Sequence, residues 1–205
     1  RLPPARHPPF GLGKNLYGLD IDDRAAQMAG FALLMKARAD DRRLLNEAPK
    51  LNLLALQEST GLDAADLSTQ LEPFGIQRSP LKALLDTFGQ AKTFGSLIQI
   101  PQELNVDLAM LTEGLQRAID KGDLYAKAAA QDLLPLVGQA KVLGMQFDAV
   151  VANPPYMGSK GMNSALKDYA KAAYPGSKAD LFAMFIERGF IWCKPTGFNS
   201  MVTMQ

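Results

Sequence analysis

With 205 residues, 47% of them hydrophobic, the chain is long enough to bury a substantial core as one globular domain or a large part of one. Lys and Arg number 22 against 21 Asp and Glu, a formal charge of +1, so the chain as a whole lacks the basic footprint of a complete nucleic-acid-binding protein, and any such footprint must be local. A single cysteine, Cys193, excludes an internal disulfide framework and fits a reducing cytoplasm, the lone His7 leaves no zinc site to propose, and no apolar run reaches membrane-spanning length.

The opening stretch to Leu12 is Pro-rich and basic, unlike a signal peptide, and a start at Arg1 instead of Met reads as a cut from something longer. From Asn15 to Asp22 the apolar residues Leu16, Tyr17, Leu19 and Ile21 make a short strand with Gly18 inside it. Asp20, Asp22 and Asp23 cluster at its carboxyl end. An acid in that place of a nucleotide-binding half accepts hydrogen bonds from ribose hydroxyls, which makes Asp20 the candidate, while Asp22 and Asp23 suit the start of the next helix. That helix is expected from Arg24 to about Leu45, with Ala26, Ala29, Leu33 and Leu34 among its apolar positions, as the crossover after a parallel strand. Leu51 to Leu56 is compatible with a further strand, ending at Gln57, Glu58 and Ser59.

Residues 60 to 146 are too many for a plain connection, and their pattern is helical. Leu81, Leu84 and Leu85 form one apolar patch; Leu104, Leu108, Leu111, Leu115 and Ile119 continue at three- and four-residue spacing. A third helix is expected over 124 to 143, interrupted or ended near Pro135 and Gly138. Between them, Phe94-Gly95-Ser96-Leu97-Ile98 has no chemical role to offer and reads as core packing.

Phe147 to Tyr156 is the stretch that organises the chain. Phe147, Ala149, Val150, Val151 and Ala152 read as a buried strand, and Asn153 sits where it becomes a loop, the place where ligands meet an open α/β sheet. Pro154 and Pro155 lack N–H groups and fix their own φ, so the loop is stiff and its carbonyls stay free. The Asn153 side-chain oxygen and a neighbouring carbonyl can together accept both hydrogens of an exocyclic amine, and the Tyr156 ring offers a face to a planar heterocycle. A plain turn with Tyr156 as a lid on the core is the alternative. Further on, Lys160, Lys167, Lys171 and Lys178 with Tyr169 and Tyr174 make a flexible basic segment, suited to phosphates or to solvent alone. Asp180 to Cys193 reads as a helix, with Cys193 a small core residue; Pro195-Thr196-Gly197 turns the chain; Phe198 to Met204 begins another strand.

Asn153-Pro154-Pro155-Tyr156 after a hydrophobic strand resembles the catalytic motif of adenine-specific, N6-amino DNA methyltransferases that use S-adenosyl-L-methionine. NLYGLDIDDRAAQMAGFALLMKAR at 15–38, FGSLIQI at 94–100 and NPPYMGSKGMN at 153–163 resemble more narrowly the large adenine methyltransferase of BREX-type phage-defence systems, and through it the methyltransferase parts of fused restriction-modification enzymes. The resemblance runs from about Lys14 onward.

It implies an α/β fold: a partial, Rossmann-like methyltransferase sheet carrying a large helical insertion. Residues 1–59 would hold the second and third strands and the cofactor half, 60–146 the insertion, and 147–205 the catalytic loop. Asn153, Pro154, Pro155 and Tyr156 become the catalytic residues. Gly18 to Asp22 matches the family's Gly-hydrophobic-acidic-hydrophobic-Asp pattern, which sets Asp20 on the cofactor's ribose and Ile21 against its adenine; Glu58 or Gln57 takes the adenine amine. Double-stranded DNA and other phage-defence proteins are the implied partners, with no metal and no membrane. The family's glycine-rich loop should lie upstream of Gly18. Gly11-Leu12-Gly13 is too close to the strand to serve, so the chain by itself is expected neither to bind the cofactor at micromolar affinity nor to methylate DNA. Enzymes that methylate a protein glutamine or an RNA guanine amine share Asn-Pro-Pro-Tyr, and an inert fragment or scaffold is the non-enzymatic alternative.

Overall fold

Two pairs of parallel strands, each joined through helices, carry the architecture of the computed structural model, which describes residues 8–203. His7 and Met204 therefore lie outside the described residues. The chain divides into two compact units, Arg1–Gln57 and Glu58–Gln205.

In the first unit α1 (Pro8–Lys14) leads into β1 (Tyr17–Asp20), α2 (Asp23–Asp40) crosses over, and β2 (Asn52–Ala55) returns parallel to β1, with Tyr17 opposite Asn52 and Asp20 opposite Ala55. Gly18 is required by the closeness of the pair: a Cβ there would stand 2.5 Å from a Leu53 methyl. The Asn52 amide donates to the Gly13 carbonyl at 2.8 Å, tying the end of α1 to β2. Helix α2 starts on Asp22, whose carboxylate accepts from the Arg24 and Ala25 amides. It stops at Asp40, short of the expected Leu45, because the Asp41 carboxylate accepts from the Arg43 amide at 3.0 Å and opens a turn. Leu44 is then buried from a separate 3₁₀ turn, Leu44–Glu47. Ala26, Gly30, Leu33, Leu34 and Ala37 make the half-buried stripe of α2; Ala29, expected with them, is exposed, as are Met28, Phe31 and Met35.

The second unit opens with α3 (Ala64–Leu71), α4 (Arg78–Phe88) and the short α5 (Ala91–Phe94), then the long pair α6 (Gln102–Lys121) and α7 (Leu124–Gly144). Leu81, Leu84 and Leu85 are buried on α4, and Leu104, Leu108, Leu111 and Leu115 on α6, at the expected spacing. Helix α7 runs on through Pro135 instead of breaking there. Pro135 and Gln131, whose carbonyl loses its helical partner, both face solvent, and Leu133, Leu136 and Val137 beside them hold the turn in the core.

From α7 the chain enters β3 (Phe147–Ala152), passes through α8 (Ser164–Ala173) and α9 (Leu181–Trp192), and returns as β4 (Cys193–Met201), parallel to β3. The expected turn at 195–197 is an irregularity inside β4: Phe147 pairs with Cys193 but Ala149 with Phe198, so Lys194–Gly197 bulge from the ladder. Cys193 is half-buried and free of any disulfide. Helix α9 lies close on β4, since a Cβ at Gly189 would come within 2.5 Å of Asn199 and Met201. The buried strand expected at 147–152 is buried at Val150 alone; Ala149 and Val151 point to the opposite face with Phe198 and Ser200, where Val151 is 79% exposed. Alternation along a strand with one covered face produces this split.

Candidate active site

Asn153 follows the last residue of β3, at the carboxyl end of a parallel strand pair. Its side chain is exposed and, among the described residues, has no hydrogen-bond partner, so its amide oxygen is available to a ligand. Pro154 is buried and anchors the turn; Pro155 is exposed. Neither can donate to a neighbour, and the Pro154 carbonyl accepts no hydrogen bond among the described residues. Tyr156 presents its ring to solvent, 46% exposed, with Phe182 edge-on at 6.3 Å between centroids and 69° between planes.

The far side of the loop is tied down by backbone. The Met157 carbonyl accepts from the Leu181 amide at 2.9 Å, the Ala179 carbonyl from the Ser159 amide at 2.9 Å, and Gly158 bridges Asp180 in antiparallel fashion. Loop 153–159 is thus stiff at both ends: prolines on one side, a two-bond clasp to the start of α9 on the other. Phe182 and Asp180 are the residues that sequence reasoning missed here. Phe182 reads as part of the apolar surface of the helix expected over Asp180 to Cys193, and Asp180 as the residue that opens it. Asp180 does hold the cap position with extended backbone, yet its side chain makes no capping bond and its Oδ1 is buried without a partner. By contrast Asp22, Asp63, Asp123 and Asn163 all cap their helices.

The lysine-rich stretch after the loop is partly helical, Lys167 and Lys171 lying on α8. Asn163 caps α8 through the Leu166 amide at 2.8 Å, Lys171 pairs with Asp168 at 3.0 Å, and Tyr169 and Tyr174 turn inward, while Lys160 and Lys178 stay exposed. A cavity of about 300 Å³ lined by Gln99, Asn105, Leu143, Arg188 and Trp192 contains none of residues 153–156.

In the first unit the Asp20 side chain is exposed at the end of β1, with Oδ1 accepting from the Asp22 amide at 2.9 Å, and Ile21 beside it is half exposed. An acid with open lone pairs beside an apolar side chain, at the carboxyl end of a strand, fits the ribose and adenine half of S-adenosyl-L-methionine. Gly11 and Gly13 lie inside α1, with the Gly11 carbonyl accepting from the Asn15 amide at 3.0 Å, so these two glycines form no open turn of amide donors. Gln57 donates to Asp23 at 2.7 Å. Glu58, in the second unit, accepts from the Lys92 amide at 3.1 Å and the Thr60 hydroxyl at 3.4 Å. Among the described residues no cluster of three or more metal-ligating side chains occurs, and no helix is long and apolar enough to cross a membrane.

A family model described as Eco57I restriction-modification methylase matches residues 14–205. The chain is 47% identical over 220 aligned residues to the adenine-specific methyltransferase BrxX of Escherichia coli O9:H4 (strain HS), covering 97% of this chain and 18% of that protein. It is 35% identical over 197 residues to the adenine-specific methyltransferase PglX of Lacticaseibacillus casei (strain Zhang), covering 94% of this chain and 16% of that protein. The chain thus spans less than a fifth of the length of these relatives.

Proposed function

The chain belongs to the Eco57I restriction-modification methylase family, and from that premise we propose that it is the part of a cytoplasmic, adenine-specific DNA methyltransferase of phage defence that presents the target base for methylation. Each parallel strand pair would be a piece of a Rossmann-like methyltransferase fold, with 60–146 as a helical insertion. The observation that carries this reading is the loop: an exposed, unpartnered Asn153, a stiff Pro154-Pro155 pair and an open Tyr156 ring at the end of parallel β3. A flipped adenine stacks on Tyr156, and its amine donates one hydrogen to the Asn153 oxygen and the other to the Pro154 carbonyl. Two acceptors held in place by prolines orient the amine and leave its lone pair outward, so the chain's contribution is position and electrostatics without a covalent intermediate.

Bound S-adenosyl-L-methionine supplies the methyl group. Asp20 would hold its ribose hydroxyls and Ile21 would cover its adenine. With Gly11 and Gly13 taken up in α1, the 205 residues alone are expected neither to bind the cofactor at micromolar affinity nor to methylate DNA.

The test is a tritiated methyl-transfer assay on the whole enzyme carrying this chain, with duplex DNA, cell protein and ribosomal RNA as separate acceptors, beside N6-methyladenine sequencing of host DNA. Label in duplex adenine that disappears in Asn153→Ala, with cofactor affinity within a few fold, is the expected result. Unchanged methylation in Asn153→Ala, or label in protein or RNA only, rejects the assignment.

A further inference from the structure

Residues 94–98 enter neither the loop nor the cofactor half, yet side chains more than 70 positions away converge on their backbone. Phe94 ends α5 and Gly95–Leu97 form a 3₁₀ turn, entered through Gly95 at φ +57°. The turn leaves the carbonyls of Ser96, Leu97 and Ile98 without helical partners, and side-chain donors take all three. Leu97 accepts from the Tyr174 hydroxyl at 2.6 Å and the Tyr169 hydroxyl at 3.0 Å. Arg188 donates from Nε to Ser96 at 3.3 Å and from Nη2 to Ile98 at 2.7 Å, and the same Nη2 reaches Leu143 at the end of α7 at 3.0 Å. Trp192 joins it on the Leu143 carbonyl at 3.0 Å and lies beneath the guanidinium at 4.4 Å. The Tyr169 ring stacks on Phe94 at 4.3 Å.

These donors are costly to misplace. Arg188 is 3% exposed and, among the described residues, pairs with no carboxylate, so its charge is tolerated only where carbonyls meet it. Tyr174 is fully buried, and burial pushes its hydroxyl up to about 12, keeping it a donor throughout the working range. A buried, fully bonded polar network admits one arrangement where apolar contacts alone admit several. Tyr169 and Tyr174 belong to α8 and its end, Arg188 and Trp192 to α9, and the start of α9 clasps the Asn153 loop and sets Phe182 against Tyr156.

We propose that backbone 96–98 is the positioning element of the base-holding loop: through Tyr169, Tyr174 and Arg188 it fixes α8 and α9 in the register that stands Phe182 edge-on to Tyr156 and ties Met157 to Leu181. The proposal rests on the reading of 153–156 as the loop that receives the target adenine. Tyr169, Tyr174, Arg188 and Phe182 are positioning residues, acting through Tyr156 and the loop without touching the reacting amine.

In the whole enzyme, the double variant Tyr169→Phe/Tyr174→Phe strips both hydroxyls from the Leu97 carbonyl and keeps both rings; Phe182→Leu removes the edge contact alone. Both are expected to bind S-adenosyl-L-methionine within about twofold of the parent while kcat falls about tenfold or more, as small misplacements of reacting groups do. A duplex with 2-aminopurine at the methylated position should lose most of the fluorescence rise that marks a flipped base. Unchanged kcat and fluorescence in the double variant, with a lowered melting temperature as its only effect, overturn the proposal. If the double variant does not fold, Phe182→Leu decides by the same two readouts, and parental values in it overturn the proposal. Activity that survives Asn153→Ala strikes the loop reading itself, a different signature from a parent that depends on Asn153 yet ignores the tyrosines.

Discussion

Helix α2 and the pair α6 and α7 are of similar length and opposite build. Across its 18 residues α2 buries no side chain completely, and Met28, Phe31 and Met35 stand in solvent. Helix α6 buries six of its 20 residues and α7 ten of its 21. At about 1.5–3 kcal/mol for each fully buried large aliphatic side chain, the α6 and α7 pair carries far more hydrophobic stabilisation than α2 does. The difference separates two builds: 60–146 contributes a deep core to the second unit, while the first unit is a thin βαβ piece with few buried side chains.

The sharpest way to break that contrast is Leu115→Ala, at a fully buried site of α6. It should cost about 2–5 kcal/mol in urea unfolding of the second unit. A loss below about 1 kcal/mol would mean that the core collapses around the cavity and is looser than its burial implies.

Next in size is Asp20→Ala on the thin side. On the role proposed for Asp20, the substitution should weaken cofactor binding by about 1.5–3 kcal/mol in calorimetry of the whole enzyme. Asp20→Asn sharpens the result, because the amide oxygen retains the acceptor for the Asp22 amide while the charge goes. Equal affinity in both variants would leave Asp20 as a helix-start residue only.

A smaller effect, seen at high pH, belongs to Tyr174. Folding raises its pKa from 10.0 to about 12, chiefly through burial, so the stability it contributes is whole below pH 10 and is lost as the pH climbs through 12. Thermal melts between pH 9 and 12 should therefore fall less steeply for Tyr174→Phe than for the parent, and parallel curves would contradict the buried hydroxyl. Least of all should Phe31→Ser matter: an exposed change of this kind stays within about 0.5 kcal/mol. A drop beyond about 1 kcal/mol would show that the exposed stripe of α2 is covered in solution.

Particular residues explain what could be read from the chain beforehand. The leucines of α4 and α6 were legible because helical periodicity and burial coincide there. The Asn153 loop was legible because two prolines after an apolar run leave few other shapes. Pro135 misled, since its cost depends on whether Gln131 faces water, and one-dimensional patterning is silent on that. The end of α2 misled because the Asp41 side chain competes for backbone amides, a local bond stronger than propensity. Residues 94–98 read as core packing, as the burial of Leu97 and Ile98 bears out, but their polar role was not legible: what they contribute is carbonyl oxygens, which every residue has, and their partners lie 72 to 92 positions away. Phe182 stayed hidden for the opposite reason, since one aromatic among the many of α9 gives no sign that its edge meets Tyr156.

The uncovered face of β3 and β4 has a practical consequence. Ala149, Val151 and Phe198, with Val202 just past the end of β4, put apolar side chains in water on folded, hydrogen-bonded strands. Such a surface takes up environment-sensitive dyes before any unfolding occurs. A dye-based thermal shift on this chain would start from a bright baseline and could fall on heating, the inverse of the usual trace. Backbone circular dichroism escapes that inversion, and a Val151→Thr/Phe198→Thr variant, with its strands intact, should restore a dark starting point.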